Sequence, residues 1–190
     1  KIREMLIGCN IVRGDVGAGY LLNHPDTIAS FIAVNSLGAI WSCCSPDFGV
    51  ESIVNRFSQL DPKVLLAHEG YSYNGKVFKQ ESKISDLKKK LPSLKKTILF
   101  DSSFASWNLK SSYWLDFELK SVKFNDPIWV LFSSGTTGKP KAITHGTGGI
   151  LLEQYKSHSL HQNIIKGDRF FWNTTTGWMM WNYALGSFLC

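Results

Sequence analysis

Short apolar runs alternate with longer mixed segments along most of the chain, and this alternation is the main structural signal in the sequence. Apolar runs bounded by turn residues are typical of buried strands, whereas apolar positions three and four apart indicate helices. The predicted strands cover residues 17–22, 39–43, 63–67, 97–100, 128–132 and 169–172. The predicted helices cover residues 25–38, 50–60, 84–91 and 148–165, and a last helix begins at 178. This order predicts an α/β fold with a mostly parallel sheet and crossover helices.

Turn residues complete this outline. The pair Asn74-Gly75 predicts a tight hairpin within residues 71–76. Residues 102–125 are polar with scattered aromatic side chains, so we expect a long surface connection there. The adjacent residues Cys43 and Cys44 should point to opposite sides of an extended strand.

Composition excludes several classes of protein. Hydrophobic residues make up 44% of the chain and charged residues 19%, which is typical of a globular protein rather than a disordered one. No apolar run is long enough to span a membrane. The four cysteines have no zinc-type spacing, and we expect reduced thiols in a cytoplasmic protein.

The net charge of +6 comes largely from lysines at 88–90 and 95–96. These lysines fit either the solvated face of a helix or a nucleic-acid patch. No aromatic residues alternate with them, as base stacking would need, so we expect no nucleic-acid partner.

The segment with the clearest chemistry follows the predicted strand 128–132. It combines hydroxyl side chains, glycines that let backbone N–H groups approach an anion, and two ammonium groups, all of which suit a polyphosphate. Its spacing differs from that of the Walker loop. The alternative is a structural turn between two strands. The candidate phosphate-binding residues are Ser133, Ser134, Gly135, Thr136, Thr137, Gly138, Lys139 and Lys141.

The run from Ser133 to Lys141 resembles the phosphate loop of the adenylate-forming superfamily, which includes acyl-CoA synthetases, luciferases and peptide-synthetase adenylation domains. The resemblance extends over essentially the whole chain. Residues 38–49 are similar to the acetyl- and acetoacetyl-CoA synthetase branch. Five further stretches are similar to the acetoacetate-activating members of the family. They are residues 61–65, 73–76, 148–153, 167–172 and 174–182.

The resemblance implies a two-step reaction on ATP, a small carboxylic acid and coenzyme A. A carboxylate forms an acyl-adenylate and releases pyrophosphate, and the CoA thiol then displaces AMP. By resemblance, Lys141 is catalytic because it neutralises the departing pyrophosphate, and residues 133–138 hold the β- and γ-phosphates. Lys139 lies at a position that varies in the family. Mg2+ would bridge the phosphates, with possible help from Thr136.

The same resemblance implies that residues 1–190 are part of the large N-terminal AMP-binding domain. The acidic Mg2+ ligand, the ribose-binding Asp, the hinge and the mobile C-terminal domain with its catalytic Lys would follow Cys190. We therefore expect this chain alone to be inactive. Oligomeric state is not indicated by the sequence.

An aromatic segment, residues 174–183, is the second candidate site. By resemblance it runs beside the acyl pocket and the CoA path, where Gly177 would allow close backbone approach, Trp178 could form a wall and Thr176 could donate to the acyl group. The alternative is a buried helix start, since Trp and Met stripes are usually core; for Met179, Met180 and Trp181 we expect core. Near the phosphate loop, Thr147 occupies the position of a second family His, so we expect His145 to be structural.

Three functions are consistent with these features. The first is ligation of acetoacetate to CoA. The second is the same chemistry on acetate, propionate or another short acid. The third is a nucleotide-binding fragment without catalysis. The partners in each case are small molecules.

Overall fold

The computed structural model describes residues 1–101, 119–134 and 138–190. The strands are β1 (Val16–Tyr20), β2 (Ile40–Cys44), β3 (Val64–His68), β4 (Gly70–Tyr73), β5 (Lys76–Lys79), β6 (Lys96–Phe100), β7 (Pro127–Ser133) and β8 (Lys141–Gly146). The α-helices are α1 (Ile2–Gly8), α2 (Pro25–Asn35), α3 (Val50–Phe57), α4 (Glu81–Lys90), α5 (Thr147–Lys156) and α6 (Met179–Leu185). A π-helical turn, Ser157–His161, extends α5, and a 3-10 turn, Gly186–Leu189, extends α6.

Six strands form one sheet in the order β6-β3-β1-β2-β7-β8. The first five are parallel, and β8 is antiparallel to β7. Tyr20 at the end of β1 lies beside Cys44 of β2 and Ala67 of β3, so these strands end at one edge of the sheet. The prediction of a mostly parallel α/β sheet is confirmed.

Each face of the sheet carries its own core. One core includes Trp41 and Leu66 with Val34 of α2, and the other includes Leu65 with Phe57 of α3. Strand β3 is buried along its whole length because both of its faces are covered by helices. Cys43 packs against the first core and Cys44 belongs to the second, which confirms their predicted opposite orientations.

Several local predictions are also confirmed. Helix α2 begins at Pro25, whose fixed φ suits a first helical turn. The β4–β5 hairpin turns at Asn74 and Gly75, whose φ values of 48° and 71° match the left-handed positions of a type I′ turn. The lysines of the last turn of α4 lie on an exposed helix surface, where Lys90 pairs with Glu51.

Two predictions about the C-terminal third were wrong. The helix predicted to reach residue 165 ends with the π-helical turn at His161. Residues 169–172 are not a strand. Phe170 faces the ring of His158 and Trp172 faces Tyr183, while Phe171 is 82% exposed. The apolar run that predicted a strand therefore serves aromatic packing without a partner strand.

No helix within the described ranges is long and apolar enough to cross a membrane. The connection predicted for residues 102–125 lies largely outside the described residues, which resume at 119. Strand β8 was not predicted, and it turns the region after the candidate phosphate loop into a hairpin with β7.

Candidate active site

The strand order creates a crevice between the carboxyl ends of β1 and β2. Strand β1 continues into α2, which packs on one face of the sheet, whereas β2 continues into α3 on the other face. Loops that leave neighbouring parallel strands toward opposite faces open a crevice at the sheet edge, where α/β proteins generally bind ligands.

The chain's own aromatic segment enters this crevice. The Thr176 hydroxyl donates to the carbonyl oxygen of Leu21, after β1, at 2.6 Å. A Cβ added at Gly177 would lie 3.0 Å from the backbone nitrogen of Ser45 and 3.2 Å from the Phe48 ring, both after β2. In this structure, the close approach predicted for Gly177 is made to the chain itself. The Thr176 proton is likewise donated internally.

The residues after Gly177 divide into exposed and buried positions. Trp178 is 62% exposed and Met179 is 54% exposed, so the prediction that Met179 is core was wrong. Trp181 is only 2% exposed, which confirms it as core. Its indole N–H donates to the side-chain oxygen of Asn23 at 3.1 Å. Trp178 is therefore exposed at the sheet edge, between Thr176 and Trp181, whose side chains are held by hydrogen bonds.

The candidate phosphate loop connects β7 to β8. Because β7 is parallel to β2, the loop leaves the same sheet edge as the crevice. Ser133 and Lys141 face each other as the last pair of the hairpin, and Ser134, Gly138 and Lys139 are exposed. A Cβ at Gly138 would meet open space. The predicted positions Gly135, Thr136 and Thr137 lie outside the described residues.

The described parts of the loop keep their polar groups accessible. In contacts between residues that the structure describes, no side-chain hydrogen bond involves Ser134, Lys139 or Lys141. The loop joins two antiparallel strands, as the structural alternative requires, but Ser134, Lys139 and Lys141, whose side chains carry a hydroxyl and two ammonium groups, are exposed. The phosphate-binding roles of these residues stay predictions.

The residues around the end of α3 contact this loop, which the sequence reasoning missed. The Gln59 side-chain amide donates to the Pro140 carbonyl at 2.9 Å. The Arg56 guanidinium lies 4.9 Å from the ring centre of Phe48 and 6.0 Å from that of Phe132. Arg56 therefore connects the β2–α3 loop to the carboxyl end of β7. The polar side chains on one face of α3 were the available signal in the sequence. Their spacing did not show which part of the chain that face would contact.

A buried cluster of His24, Asp26 and His68 lies behind the crevice. Asp26 Oδ2 is 2.9 Å from His24 Nδ1 and 3.4 Å from His68 Nε2, and burial, followed by the nearby His24, lowers the pKa of His68. Within the described ranges, this is the group whose ligand-atom spacing could suit a metal ion. However, the backbone N–H of Leu22 donates to His68 Nδ1, so the neutral ring carries its proton on Nε2. A protonated nitrogen is not a metal ligand, and we assign no metal here.

The residues after the loop have structural contacts. The hydroxyl and backbone N–H of Thr147 both contact the Asp126 carbonyl at 2.8 Å, and this fixes the start of α5. His145 is in β8 with its ring 6.2 Å from that of Trp129. Neither contact requires a ligand.

Comparison with known proteins identifies related chains. A family model described as AMP-binding enzyme matches residues 1–189. The chain is 39% identical to an acetoacetyl-coenzyme A synthetase of Rhizobium meliloti (strain 1021), with 100% of this chain and 32% of that protein covered. It is 38% identical to an acetoacetyl-CoA synthetase of Macaca fascicularis, with coverage of 92% and 29%. The chain therefore spans less than a third of the length of these relatives.

A solved structure has the same fold. Acetoacetyl-CoA synthetase from Streptomyces lividans superposes with a TM-score of 0.91 and is 38% identical. The superposition covers 99% of this chain and 30% of that protein.

Proposed function

The chain belongs to the AMP-binding enzyme family, and from that premise we propose that it is part of a longer ligase that joins acetoacetate to coenzyme A at the expense of ATP. The observation that carries the proposal is the loop that follows β7 at the same sheet edge as the β1–β2 crevice, in which the described residues Ser134, Lys139 and Lys141 are exposed. The likeness to acetoacetyl-CoA synthetases over the whole chain supports the choice of acid.

The first step forms an acyl-adenylate. A carboxylate oxygen of the acid attacks the α-phosphorus of ATP, and the bond from that phosphorus to the bridging β-phosphate oxygen breaks. Pyrophosphate leaves with the bonding electrons, so negative charge grows on its oxygens. The Lys141 ammonium would neutralise this charge, while Ser133 to Gly138 and, less critically, Lys139 would hold the phosphates by hydrogen bonds. Catalysis of this kind depends on positioning and electrostatics.

The second step forms the thioester. The CoA sulfur attacks the acyl carbon, the bond to the adenylate oxygen breaks, and AMP leaves. We assign the acyl and CoA side to Thr176, Gly177 and Trp178. Trp178 would touch the substrate because its ring is exposed, whereas Thr176 and Gly177 would hold the segment in the crevice through Leu21 and Ser45.

Mg2+ would serve this reaction by screening phosphate charge. The loop offers hydroxyl oxygens, including that of Thr136, which fit a hard cation. Residues 133–146 contain no carboxylate. By likeness to the AMP-binding family, we propose that the acidic ligand lies in a part of the enzyme outside this chain. The mobile C-terminal domain would also lie there, and we propose a cytoplasmic enzyme.

Pyrophosphate exchange into ATP by the full-length protein tests the proposal. Exchange should depend on acetoacetate and be weaker with acetate or propionate at equal concentration. Residues 1–190 alone should support none. If exchange is faster with acetate or propionate, that acid is the substrate and the proposed ligase reaction still holds. Absence of exchange with every acid, in a protein that still binds ATP, would favour a nucleotide-binding protein without catalysis.

A further inference from the structure

Within the aromatic segment, the stretch from Thr176 to Trp181 is attached at both ends to one turn of the sheet edge, the β1–α2 turn (residues 21–24). At one end, the Thr176 hydroxyl donates to the Leu21 carbonyl at 2.6 Å. At the other end, the Trp181 indole N–H donates to Asn23 Oδ1 at 3.1 Å. The four residues between these attachments include the exposed Trp178.

The β1–α2 turn is itself held firmly. The Leu22 backbone N–H donates to His68 Nδ1 at 3.2 Å, and the Leu22 carbonyl accepts from the Thr27 hydroxyl at 2.5 Å. The Leu21 N–H donates to the Cys44 carbonyl at 3.3 Å. Because both sheet neighbours and α2 fix the turn, groups that it anchors share its rigidity.

The two attachments differ in their support. Gly177 packs directly on Ser45, so the first end has a second constraint. At the Trp181 end, the neighbouring Asn182 carbonyl accepts from the Gln154 side-chain amide at 3.1 Å, so the backbone is also held to α5. The Trp181 ring itself has the bond to Asn23 and packing against the Phe31 ring, whose centre is 6.3 Å away at nearly a right angle. Edge-on aromatic packing permits small rotations, whereas a hydrogen bond to the indole nitrogen sets the ring orientation. Asn23 is therefore the residue through which the β1–α2 turn orients the Trp181 ring.

We propose that Asn23 is a positioning residue for the acyl and CoA side of the site. Its side-chain oxygen orients Trp181, and Trp181 sets the path of the backbone that presents Trp178. This inference rests on the proposed function. Asn23 makes no side-chain hydrogen bond to a described residue of the phosphate loop, so the effect should be confined to the acid and CoA.

Four variants of the full-length protein test this role. Asn23→Ala removes the acceptor, and Asn23→Asp keeps an oxygen at the same position. Trp181→Phe keeps an aromatic ring but removes the donor, and the fourth variant combines Asn23→Ala with Trp181→Phe. Losing one net hydrogen bond corresponds to about fivefold, so Asn23→Ala should raise the KM for acetoacetate or CoA by about that factor. The KM for ATP should stay within about twofold, and Asn23→Asp should resemble the wild type.

The double variant isolates the pair. If Asn23 acts through Trp181, the double variant should be no worse than the poorer single variant. A KM increase in the double variant equal to the product of the increases in the two single variants would overturn the inference. So would equal losses in Asn23→Ala and Asn23→Asp, or a fall in kcat with all KM values unchanged, which a general loss of folded enzyme would cause.

Amide hydrogen exchange separates this inference from the proposed function, because it needs no activity. Exchange over residues 174–185 should rise in Asn23→Ala and stay at the wild-type level in Asn23→Asp. Unchanged exchange in Asn23→Ala, with an active wild type, would overturn the anchor and leave the ligase proposal standing. Faster exchange in Asn23→Ala, with a wild type inert toward every acid, would support the anchor and reject the ligase.

Discussion

The side-chain amide of Gln59 donates a hydrogen bond to the carbonyl oxygen of Pro140 at 2.9 Å, and also contacts the Asn55 carbonyl at 2.7 Å. The bond joins the end of α3 to the chain between Lys139 and Lys141. A residue 81 positions away in sequence thus fixes the exit of the candidate phosphate loop. In the proposed function, this fixed exit would position the Lys141 ammonium for the pyrophosphate.

Removing this bond should weaken ATP binding modestly. Gln59→Ala should raise the KM for ATP about two- to tenfold, the range expected for one net hydrogen bond, with little change in the KM for the acid. Gln59→Glu has nearly the same shape but no donor, and its charge would repel phosphates, so its effect should be larger. Ser58→Ala on the same exposed turn is the control. An unchanged KM for ATP in both Gln59 variants would show that the bond does not position the loop.

Lys141 should matter far more in one half-reaction than in the other. Charge accumulates on pyrophosphate only during adenylation, so Lys141→Ala should slow adenylate formation about 100-fold, as loss of one transition-state contact does elsewhere. Thioester formation from pre-made adenylate should change much less. Single-turnover measurements of each step by the full-length protein would check this.

The neighbouring Lys139 provides a matched comparison. It is exposed on the same loop and carries the same charge, but it precedes Pro140 and has no strand partner. Lys139→Ala should affect adenylation much less than Lys141→Ala. Equal losses in both half-reactions for Lys141→Ala would count against its phosphate role.

Several elements of this fold could be predicted from sequence because their causes are local. Asn74-Gly75 favours a left-handed turn through its own two residues, and within a helix Pro25 is tolerated only in the first turn. The segment 169–172 was predicted wrongly because an apolar run shows that side chains pack together, not that another strand is available to pair with. The phosphate loop was recognisable because its hydroxyl, glycine and lysine residues are consecutive in the sequence.

The parts of the site that escaped prediction depend on distant pairs. Nothing near Asn23 in sequence indicates Trp181, and nothing near Gln59 indicates Pro140. The same limit explains Gly177. A glycine in an aromatic segment indicates a close approach, but only the strand order shows that the backbone of Ser45 makes it.

Gly177→Ala should therefore destabilise the protein and disturb the acid site together. The added Cβ would lie 3.0 Å from a backbone nitrogen, so the segment must shift, and overpacking of this kind costs about 1–3 kcal/mol. Gly149→Ala in α5 is the matched control, since its Cβ would meet nothing within 4 Å and alanine favours a helix by about 1 kcal/mol. Thermal unfolding should show a lower midpoint for Gly177→Ala and an equal or higher one for Gly149→Ala. A midpoint for Gly177→Ala at the wild-type value would mean that the crevice has spare room.

His68 should make stability depend on pH below neutrality. Its pKa is lowered from 6.5, first by burial and then by His24, against the opposing effect of Asp26 and Asp101. The unfolded chain therefore takes up a proton at a higher pH than the folded protein does. Stability from the neutral ring is intact above about pH 6.5 and falls as the pH drops, by at most about 1.4 kcal/mol per pH unit.

The variant His68→Asn tests this directly. The asparagine oxygen can accept from the Leu22 N–H as His68 Nδ1 does, but it does not titrate. The variant should start with a lower thermal midpoint at pH 7.5, because it loses the ring N–H that faces Asp26, yet lose less between pH 7.5 and 5.5 than the wild type. His24 and Asp26 remain in both proteins, so the difference reports His68. Equal falls in midpoint would mean that the pKa of His68 is the same in the folded and unfolded protein, because the two carboxylates offset its burial and the nearby His24.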